Sequence, residues 1–359
     1  MRGQIDAFTY NALPARIVMG SGKRKEVAAE GARLGCTRPL IVTTPEQASL
    51  GDDVARQFDA GSAAVFACAA MHTPWDVTQR ALDAAQSVRA DCVVAIGGGS
   101  SIGLSKAIAL RTRLPQIVLP TTYAGSEVTP IIGETRDGQK HTQRTLEVLP
   151  EVVIYDVEFT LSLPVALSIA SGLNAIAHAV EALYASDANP VTSLTAEEGI
   201  AALRESLPLV AQSPQSVEAR RLAQYGAWLC GICLGAVGMG LHHKICHVLG
   251  GTFDLPHAQT HAILIPHVVA YNAHAAPHAM ARIARALNAP HAWTGLYNLA
   301  AELDAPRSLE ALGMPESGID RAVELIMQNT YSNPRTPDVH TLGQMLLKAW
   351  KGMPPEPME

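Results

Sequence analysis

The chain has 359 residues, of which 48% are hydrophobic, and a formal net charge of −6, so it is long enough for two domains with a sizeable core. Its 27 basic and 33 acidic residues form no basic stripe, which excludes a protein specialised for nucleic acid. The first 20 residues lack the apolar core of a secretory signal. The longest apolar run, residues 227–241, is shorter than the ~20 residues of a membrane span. We therefore predict a buried helix there, and neither a membrane nor a nucleic acid as partner.

The six cysteines are scattered along the chain, at Cys36, Cys68, Cys92, Cys230, Cys233 and Cys246. This pattern favours a reducing, cytoplasmic location over a disulfide framework. Cys230 and Cys233 have the spacing of a redox C-x-x-C motif, but they lie inside the apolar run. We interpret them as packing residues, with a redox role as the alternative.

The first 150 residues alternate short apolar runs with amphipathic stretches. The predicted strands are residues 39–43, 63–66, 92–96, 117–119 and 152–156, and the predicted helices are 48–58, 77–89 and 102–111. Continuous apolar strands that alternate with helices predict a parallel sheet covered on both faces.

Beyond residue 164 the pattern is almost entirely helical. We predict helices at 165–183, 192–207 and 217–241, with further helices up to residue 350. The domain boundary is therefore placed at residue 156. Residues 1–156 are predicted to form a Rossmann-like α/β dinucleotide-binding domain, and residues 157–359 an all-α substrate domain.

A glycine-rich turn follows the strand at 92–96. It consists of Gly97, Gly98, Gly99 and Ser100, and a helix comes directly after it. Glycines allow close approach of a pyrophosphate, and a helix N-terminus offers unpaired N–H groups to it. The turn is not a G-x-G-x-x-G motif and does not follow the first strand. A strand-to-helix turn without a ligand is therefore the alternative.

A second polar turn follows the strand at 117–119. Thr121, Thr122 and Ser126 lie on either side of Gly125 in it. A hydroxyl-rich loop at the carboxyl end of a strand is suited to line a nucleotide crevice. A solvated Ser/Thr turn is the alternative.

Histidines are concentrated in one segment, because six of the thirteen lie between residues 242 and 267. His243 and His247 are four residues apart, as are Asn174 and His178, so each pair shares one helix face. Two such pairs are typical of a metal cage, yet Asn174 is an amide where a carboxylate is expected.

Other histidines of the segment are open to simpler interpretations. His242 and His267 are expected to be either solvated or packed. His261 is ambiguous.

In this order, the motifs resemble the iron-containing (group III) alcohol dehydrogenase superfamily, and within it most closely the maleylacetate reductases. The resemblance covers nearly the whole chain. The matching segments are residues 8–14, 71–74, 97–100, 106–111, 119–127, 171–184, 240–250 and 256–257.

The resemblance implies a fold of dehydroquinate synthase-like architecture, with an α/β domain followed by an all-α domain and with cofactor and substrate meeting in the cleft between them. It also implies reduction of maleylacetate, a small dicarboxylate, to 3-oxoadipate with NADH or NADPH in bacterial breakdown of aromatic compounds. A homodimer is expected on the same basis. Thr43 and Thr44 stand where many strict NAD users of the superfamily carry an acidic residue, and the absence of that charge permits NADPH as well.

Metal-dependent members of the superfamily carry an aspartate at the position of Asn174, and His178, His243 and His257 complete their ligand set. Iron(II) prefers histidines together with a carboxylate, although three histidines alone can still bind zinc. We therefore expect no catalytic metal; if one is bound, those three histidines are its ligands. A metal-dependent dehydrogenase of small alcohols is the main alternative, and a nucleotide-binding protein without turnover is the second.

A dianionic substrate is suited to a metal-free pocket, because histidines near pKa 6.5 are readily protonated beside an anion. An alcohol carries no such charge and needs a Lewis acid to polarise its oxygen. In a conjugated enone, hydrogen-bond donors are sufficient to stabilise the enolate that hydride transfer creates.

The candidate residues fall into three groups. His247, His243 and His178 are grouped as catalytic. His247 is the first choice for general acid, because the superfamily places it nearest the nicotinamide. Substrate contacts are assigned to Asn174, His257, Tyr123 and Lys244. Cofactor contacts are assigned to Gly97, Gly98, Gly99, Ser100, Thr121, Thr122, Ser126, Thr44 and Lys140, the last also a candidate for substrate carboxylates.

Overall fold

The computed structural model describes residues 8–13, 15–136, 138–328 and 331–358. The chain divides into two compact units, one from Leu13 to Leu163 and the other from Pro164 onward together with the segment before Leu13. The sequence placed the division at residue 156 instead. The following 3₁₀ turn, Val157–Thr160, remains with the first unit, because Phe159 packs into the core on one face of its sheet.

The first unit contains a six-stranded sheet whose paired strands are all parallel. Its strands are β1 (Arg16–Gly20), β2 (Pro39–Val42), β3 (Ala64–Phe66), β4 (Cys92–Gly97), β5 (Gln116–Pro120) and β8 (Val152–Asp156), in the order β1-β8-β5-β4-β2-β3. The helices of this unit are α1 (Val27–Arg33), α2 (Ala48–Ala55), α3 (Trp75–Ser87) and α4 (Gly99–Thr112).

Both faces of the sheet are buried, as the continuous apolar strands predicted. Val93 and Ala95 belong to the core on one face, whereas Val94 and Ile96 belong to the core on the other. Successive side chains of a strand point to opposite faces, so only a strand that is apolar at every position can be covered on both sides. The predicted α/β fold class is confirmed.

Two β elements were not predicted from the sequence. Strand β1 begins with the charged Arg16 and lies at the edge of the sheet, where it pairs only with β8. Strands β6 (Ile131–Arg136) and β7 (Gln139–Arg144) form a separate antiparallel hairpin. In the sequence, an Asp-Gly dipeptide separates the two strands and is a recognised hairpin signal, but the polar flanking residues concealed the strands.

The regular elements in the described part of the second unit are all helices, as predicted. Its helices are α5 (Val165–Leu183), α6 (Pro190–Gln212), α7 (Val217–Ala236), α8 (Leu241–Phe253), α9 (His257–Tyr271), α10 (Pro277–Ala286), α11 (Ala292–Glu302), α12 (Gly318–Gln328) and α13 (Val339–Lys351).

The prediction of a single helix over residues 217–241 is wrong, because the chain bends by 96° between α7 and α8. Gly240, which precedes α8, lies so close to its neighbours that a Cβ there would be 2.9 Å from the Ser332 carbonyl oxygen and 3.0 Å from Glu181 Oε1. A residue with a side chain would therefore clash at this position, and α8 begins at the next residue, Leu241.

By length and composition, α5 could cross a membrane, and so could α7 and α8 if the bent pair is counted as one span. In α5, 78% of the relevant window is buried inside the protein. Among the described residues, the apolar character of α5 is therefore accounted for by packing.

Cys230 and Cys233 are buried in the helical unit, and all six cysteines are free thiols. Burial raises the pKa of Cys233 to about 12 and that of Cys230 well above its usual value. A redox-active cysteine requires a stabilised thiolate. The structure therefore favours the packing interpretation.

Candidate active site

Three polar turns converge at the carboxyl edge of the sheet. They follow β2, β4 and β5, which are neighbours in the sheet. The backbone N–H of Thr121 donates to the Gly97 carbonyl at 3.1 Å, and Gln47 Nε2 donates to Thr121 Oγ1 at 3.1 Å. The predicted cofactor residues Thr44, Gly97 and Thr121 thus belong to one edge, together with Gln47, which sequence reasoning missed.

The three glycines after β4 differ in how much space surrounds the position of a Cβ atom. Gly97 has a φ of +143°, and a Cβ there would lie 2.4 Å from Ser101 Oγ and 2.9 Å from Gln47 Oε1. A Cβ on Gly98 would lie 2.9 Å from Thr122 Cγ2. Gly99, by contrast, is exposed, begins α4, and has nothing within 4 Å of the Cβ position. The first turn of α4 is therefore accessible to an anion such as a pyrophosphate.

The side chain of Lys106 anchors the loop after β5 through hydrogen bonds. Its side chain is fully buried on α4, and Nζ donates to the carbonyl oxygens of Ser126 at 2.6 Å, Thr129 at 2.8 Å and Ile131 at 2.8 Å. Burial lowers the pKa of Lys106 to about 7. These bonds fix the Ser126 end of the loop.

The histidine cluster is built from α5, α8 and α9 of the helical unit. Asn174 and His178 lie on α5, His243 and His247 on α8, and His257 on α9. Four-residue spacing places each pair on one helix face. The ring centroids of His178 and His243 are 5.0 Å apart, those of His243 and His247 6.2 Å, and those of His247 and His257 6.4 Å.

A continuous hydrogen-bond chain runs through the buried part of this cluster. Asn174 Nδ2 lies 3.3 Å from His178 Nε2, His178 Nδ1 lies 3.0 Å from His243 Nε2, and His243 Nδ1 lies 2.5 Å from Glu181 Oε2. Asn174, His178 and His243 are each at most 5% exposed. Both ring nitrogens of His178 and His243 are thus engaged within the cluster.

Glu181 belongs to the histidine cluster but was not predicted from the sequence. Besides His243 Nδ1, its carboxylate accepts the backbone N–H groups of Gly240 at 3.1 Å, His242 at 2.8 Å and His243 at 3.3 Å. It is 1% exposed. The spacing of Glu181 from His178 on α5 could have indicated that it faces the cluster, but its partners are about 60 residues away in sequence.

His247 and His257 form the exposed side of the cluster. Their rings are nearly parallel, at an interplanar angle of 19°. Nearby in sequence, Lys244 is half-buried, and its Nζ lies 5.7 Å from the ring centroid of Tyr331. A ligand that approaches from solvent meets His247 and His257 before the buried histidines.

Two further imidazoles, those of His242 and His261, lie in the core beside the cluster. His242 Nε2 lies 2.9 Å from His261 Nδ1 and 3.7 Å from Cys246 Sγ, and all three residues are fully buried. Burial lowers the pKa of both His242 and His261 well below the usual value. Of the two interpretations offered for His242, packing is correct, and His261 takes the same role.

His267 is likewise buried, and burial lowers its pKa from 6.5 to about 4. Between these pH values the unfolded chain binds more protons at this residue than the folded chain does. The contribution of His267 to the free energy of unfolding is therefore fully present above pH 6.5 and is lost as the pH falls toward 4. We expect His267 to contribute up to ~3 kcal/mol of this loss. Urea unfolding of the wild type and of His267→Leu at several pH values measures it as the difference between the two slopes. Equal slopes would contradict it.

Tyr123 and Lys140 are predicted site residues of the α/β unit, whereas Arg335 was not predicted as one. Tyr123 is completely buried in the α/β unit, so the structure does not support its predicted substrate contact. The side chain of Lys140 lies outside the described part of the chain. Arg335 of the C-terminal region donates to the Met358 carbonyl at 2.7 Å and stacks on Tyr271, which is a structural role.

Residues 14–157 match the family profile described as iron-containing alcohol dehydrogenase, and residues 168–350 match the C-terminal profile of the same family. The chain belongs to the iron-containing alcohol dehydrogenase family. It is therefore an oxidoreductase of this family.

Among relatives of this family, the maleylacetate reductase of Rhizobium sp. strain MTP-10005 is 54% identical over 349 residues, which are 97% of this chain and 99% of that protein. The maleylacetate reductase of Sphingobium indicum is 51% identical over 97% of this chain and 99% of that protein. The crystal structure of maleylacetate reductase from Agrobacterium tumefaciens superimposes with a TM-score of 0.95 at 52% identity, covering 98% of this chain and 100% of that one. The resemblance inferred from the motifs is confirmed.

The family name implies iron, but the residues at the expected position do not fit an iron site. Asn174 supplies an amide instead of a carboxylate, and the nitrogens of His178 and His243 point at one another. Among the described residues, His178, His243 and His257 do not form a group of potential ligand atoms within 4.8 Å of one another, whereas His242, Cys246 and His261 do. Iron(II) sites of this type require convergent nitrogens and a carboxylate.

Proposed function

We propose that this protein is an NAD(P)H-dependent maleylacetate reductase that works without a catalytic metal. The main observation that supports this activity is the 54% identity to a maleylacetate reductase over nearly the whole of both chains. Asn174 at the expected carboxylate position, and its hydrogen bond to His178, support the absence of a metal.

The proposed reaction adds a hydride and a proton across the carbon–carbon double bond of maleylacetate. A nicotinamide cofactor held at Gly99 and the first turn of α4 would supply the hydride, which is added to the alkene carbon that is β to the ketone. The electron pair of the double bond moves to form an enolate, whose charge lies on the ketone oxygen. A proton then reaches the neighbouring carbon, and 3-oxoadipate and NAD(P)+ result.

His247 is proposed as the general acid and His257 as a contact for a substrate carboxylate, because both are exposed members of the cluster. His243 and His178 are proposed to act indirectly, from the buried part of the cluster. Their ring nitrogens are already hydrogen-bonded within the chain that ends at Glu181. Imidazole N–H groups directed at the ketone oxygen stabilise the enolate more than the ground state, which is the requirement for catalysis.

The pyrophosphate of the cofactor is proposed to bind at the exposed Gly99 and the first turn of α4. Thr44, half-buried after β2, introduces no negative charge that would repel a 2′-phosphate, so we propose that NADH and NADPH are both accepted. A homodimer and a reducing, cytoplasmic location complete the proposal. Sedimentation velocity tests the dimer.

The deciding assay adds enzymatically generated maleylacetate to the purified protein with NADH and, separately, with NADPH. We expect rapid oxidation of at least one nicotinamide and formation of 3-oxoadipate. A parallel panel of small alcohols with NAD+ is expected to give little turnover. The proposal fails if the alcohols are oxidised and maleylacetate is not reduced.

The metal-free part of the proposal is tested by dialysis against a strong chelator. We expect reductase activity to persist, because no step requires a Lewis acid. Complete loss of activity that iron or zinc restores would instead support a metal-dependent member of the family.

A further inference from the structure

For neutral imidazoles, the direction of every hydrogen bond in the buried chain is determined at its Glu181 end. Glu181 Oε2 accepts the backbone N–H groups of Gly240 and His243, so only an acceptor atom fits at this position. The facing His243 Nδ1 at 2.5 Å must therefore carry the hydrogen. This conclusion depends on backbone donors, whose hydrogens are fixed, and not on an assumed imidazole tautomer.

The remaining bonds follow from this one. A neutral imidazole has one N–H and one lone pair, so the lone pair of His243 is on Nε2 and accepts from His178 Nδ1. The lone pair of His178 is then on Nε2, which faces Asn174 Nδ2 at 3.3 Å. Three contacts are filled by three hydrogens, one each from Asn174, His178 and His243.

We propose that Glu181 is a positioning residue that sets the Nδ1–H tautomer of His243 and, through it, of His178, so that the amide of Asn174 closes the site against a metal ion. The lone pair of His178 that would bind a cation is occupied by the Asn174 N–H. Residue 174 thus decides whether the cluster is a closed hydrogen-bonded chain or an open cation site.

Replacing Asn174 with aspartate opens the chain, because two hydrogens then remain for three contacts. The carboxylate and the His178 lone pair face each other, and a divalent cation satisfies both. Replacing Asn174 with leucine removes the donor without adding a ligand. A comparison of the two variants therefore distinguishes the loss of the Asn174 N–H donor from the gain of an anionic metal ligand.

The first test is neutron diffraction from perdeuterated crystals of the wild-type protein, which locates hydrogens directly. We expect deuterium on Nδ1 of both His178 and His243, and none on Nε2 of either ring. Deuterium on His243 Nε2 with a bare Nδ1 would overturn the proposal. Since this measurement uses the unaltered protein, it does not depend on the folding of any variant.

The second test titrates cobalt(II) into each variant and follows its visible absorption together with metal content after gel filtration. We expect Asn174→Asp to retain about one cobalt per chain more than the wild type and Asn174→Leu. His242, Cys246 and His261 are present in all of these proteins, so any cobalt that they bind cancels in the comparison. Asn272→Asp is the matched control, since Asn272 is also buried in the helical unit but pairs with Asn333; it is expected to bind no more cobalt than the wild type.

Equal cobalt binding by the wild type and Asn174→Asp would contradict closure by the amide. An Asn174→Asp protein that folds but binds no cobalt would contradict it as well. Neither result depends on the substrate, so failure here is distinguishable from failure of the proposed reductase activity.

Discussion

Replacing His247 with alanine is expected to lower kcat for maleylacetate reduction by roughly 10²–10⁴, the range for loss of a general acid. His247 lies on the exposed side of the histidine cluster, whereas both ring nitrogens of His178 and His243 are engaged in buried hydrogen bonds. It is therefore the histidine best placed to deliver a proton. Steady-state kinetics at saturating NADH and NADPH measure the effect.

Two further variants make this result specific. His257→Ala is expected to raise KM for maleylacetate more than it lowers kcat, because His257 is proposed to hold a carboxylate. His340→Ala, on the exposed face of α13, removes a histidine of the same unit from outside the cluster and is expected to change neither constant. A near-normal kcat for His247→Ala would remove this residue from the mechanism.

Alanine substitutions at Gly97 and Gly99 are expected to separate folding from cofactor binding. At Gly97, a side chain at a φ of +143° collides with Ser101 Oγ, and such backbone strain costs ~1–3 kcal/mol. Gly97→Ala should therefore lower the free energy of unfolding and, by displacing the start of α4, raise KM for NADH by at least roughly tenfold.

Gly99→Ala should behave differently, because nothing lies within 4 Å of its added Cβ. Stability is expected to stay constant or to rise by up to ~1 kcal/mol, since alanine favours the helix. The KM for NADH is still expected to rise, because the methyl group projects into the space proposed for the pyrophosphate. Denaturant unfolding and kinetics on the same preparations measure both quantities.

Gly343→Ala is the control, since Gly343 lies in α13 and also has open space around its Cβ position. It is expected to leave the cofactor KM unchanged. If Gly99→Ala also left this KM unchanged, the pyrophosphate would not bind at the first turn of α4. A Gly97→Ala protein as stable as the wild type would show that the turn relaxes without cost.

The sequence alone was sufficient for the central strands and the long helices. Residues 92–96 are apolar at every position, and only a strand covered on both faces requires this. Weakly patterned elements were not predictable in the same way. Strand β1 is stabilised by its pairing with β8, about 135 residues further along the chain, and so its own composition carries little signal.

The sequence by itself also predicted which side-chain types make up the candidate site, because the types and helical spacing of Asn174, His178, His243 and His247 are local properties. Only the tertiary structure decided which of these side chains are buried, which are exposed, and what orients them. Glu181 meets His243 across 62 positions of sequence, and Gln47 meets Thr121 across 74. Such contacts depend on how distant helices and strands pack, and no spacing within one segment encodes them.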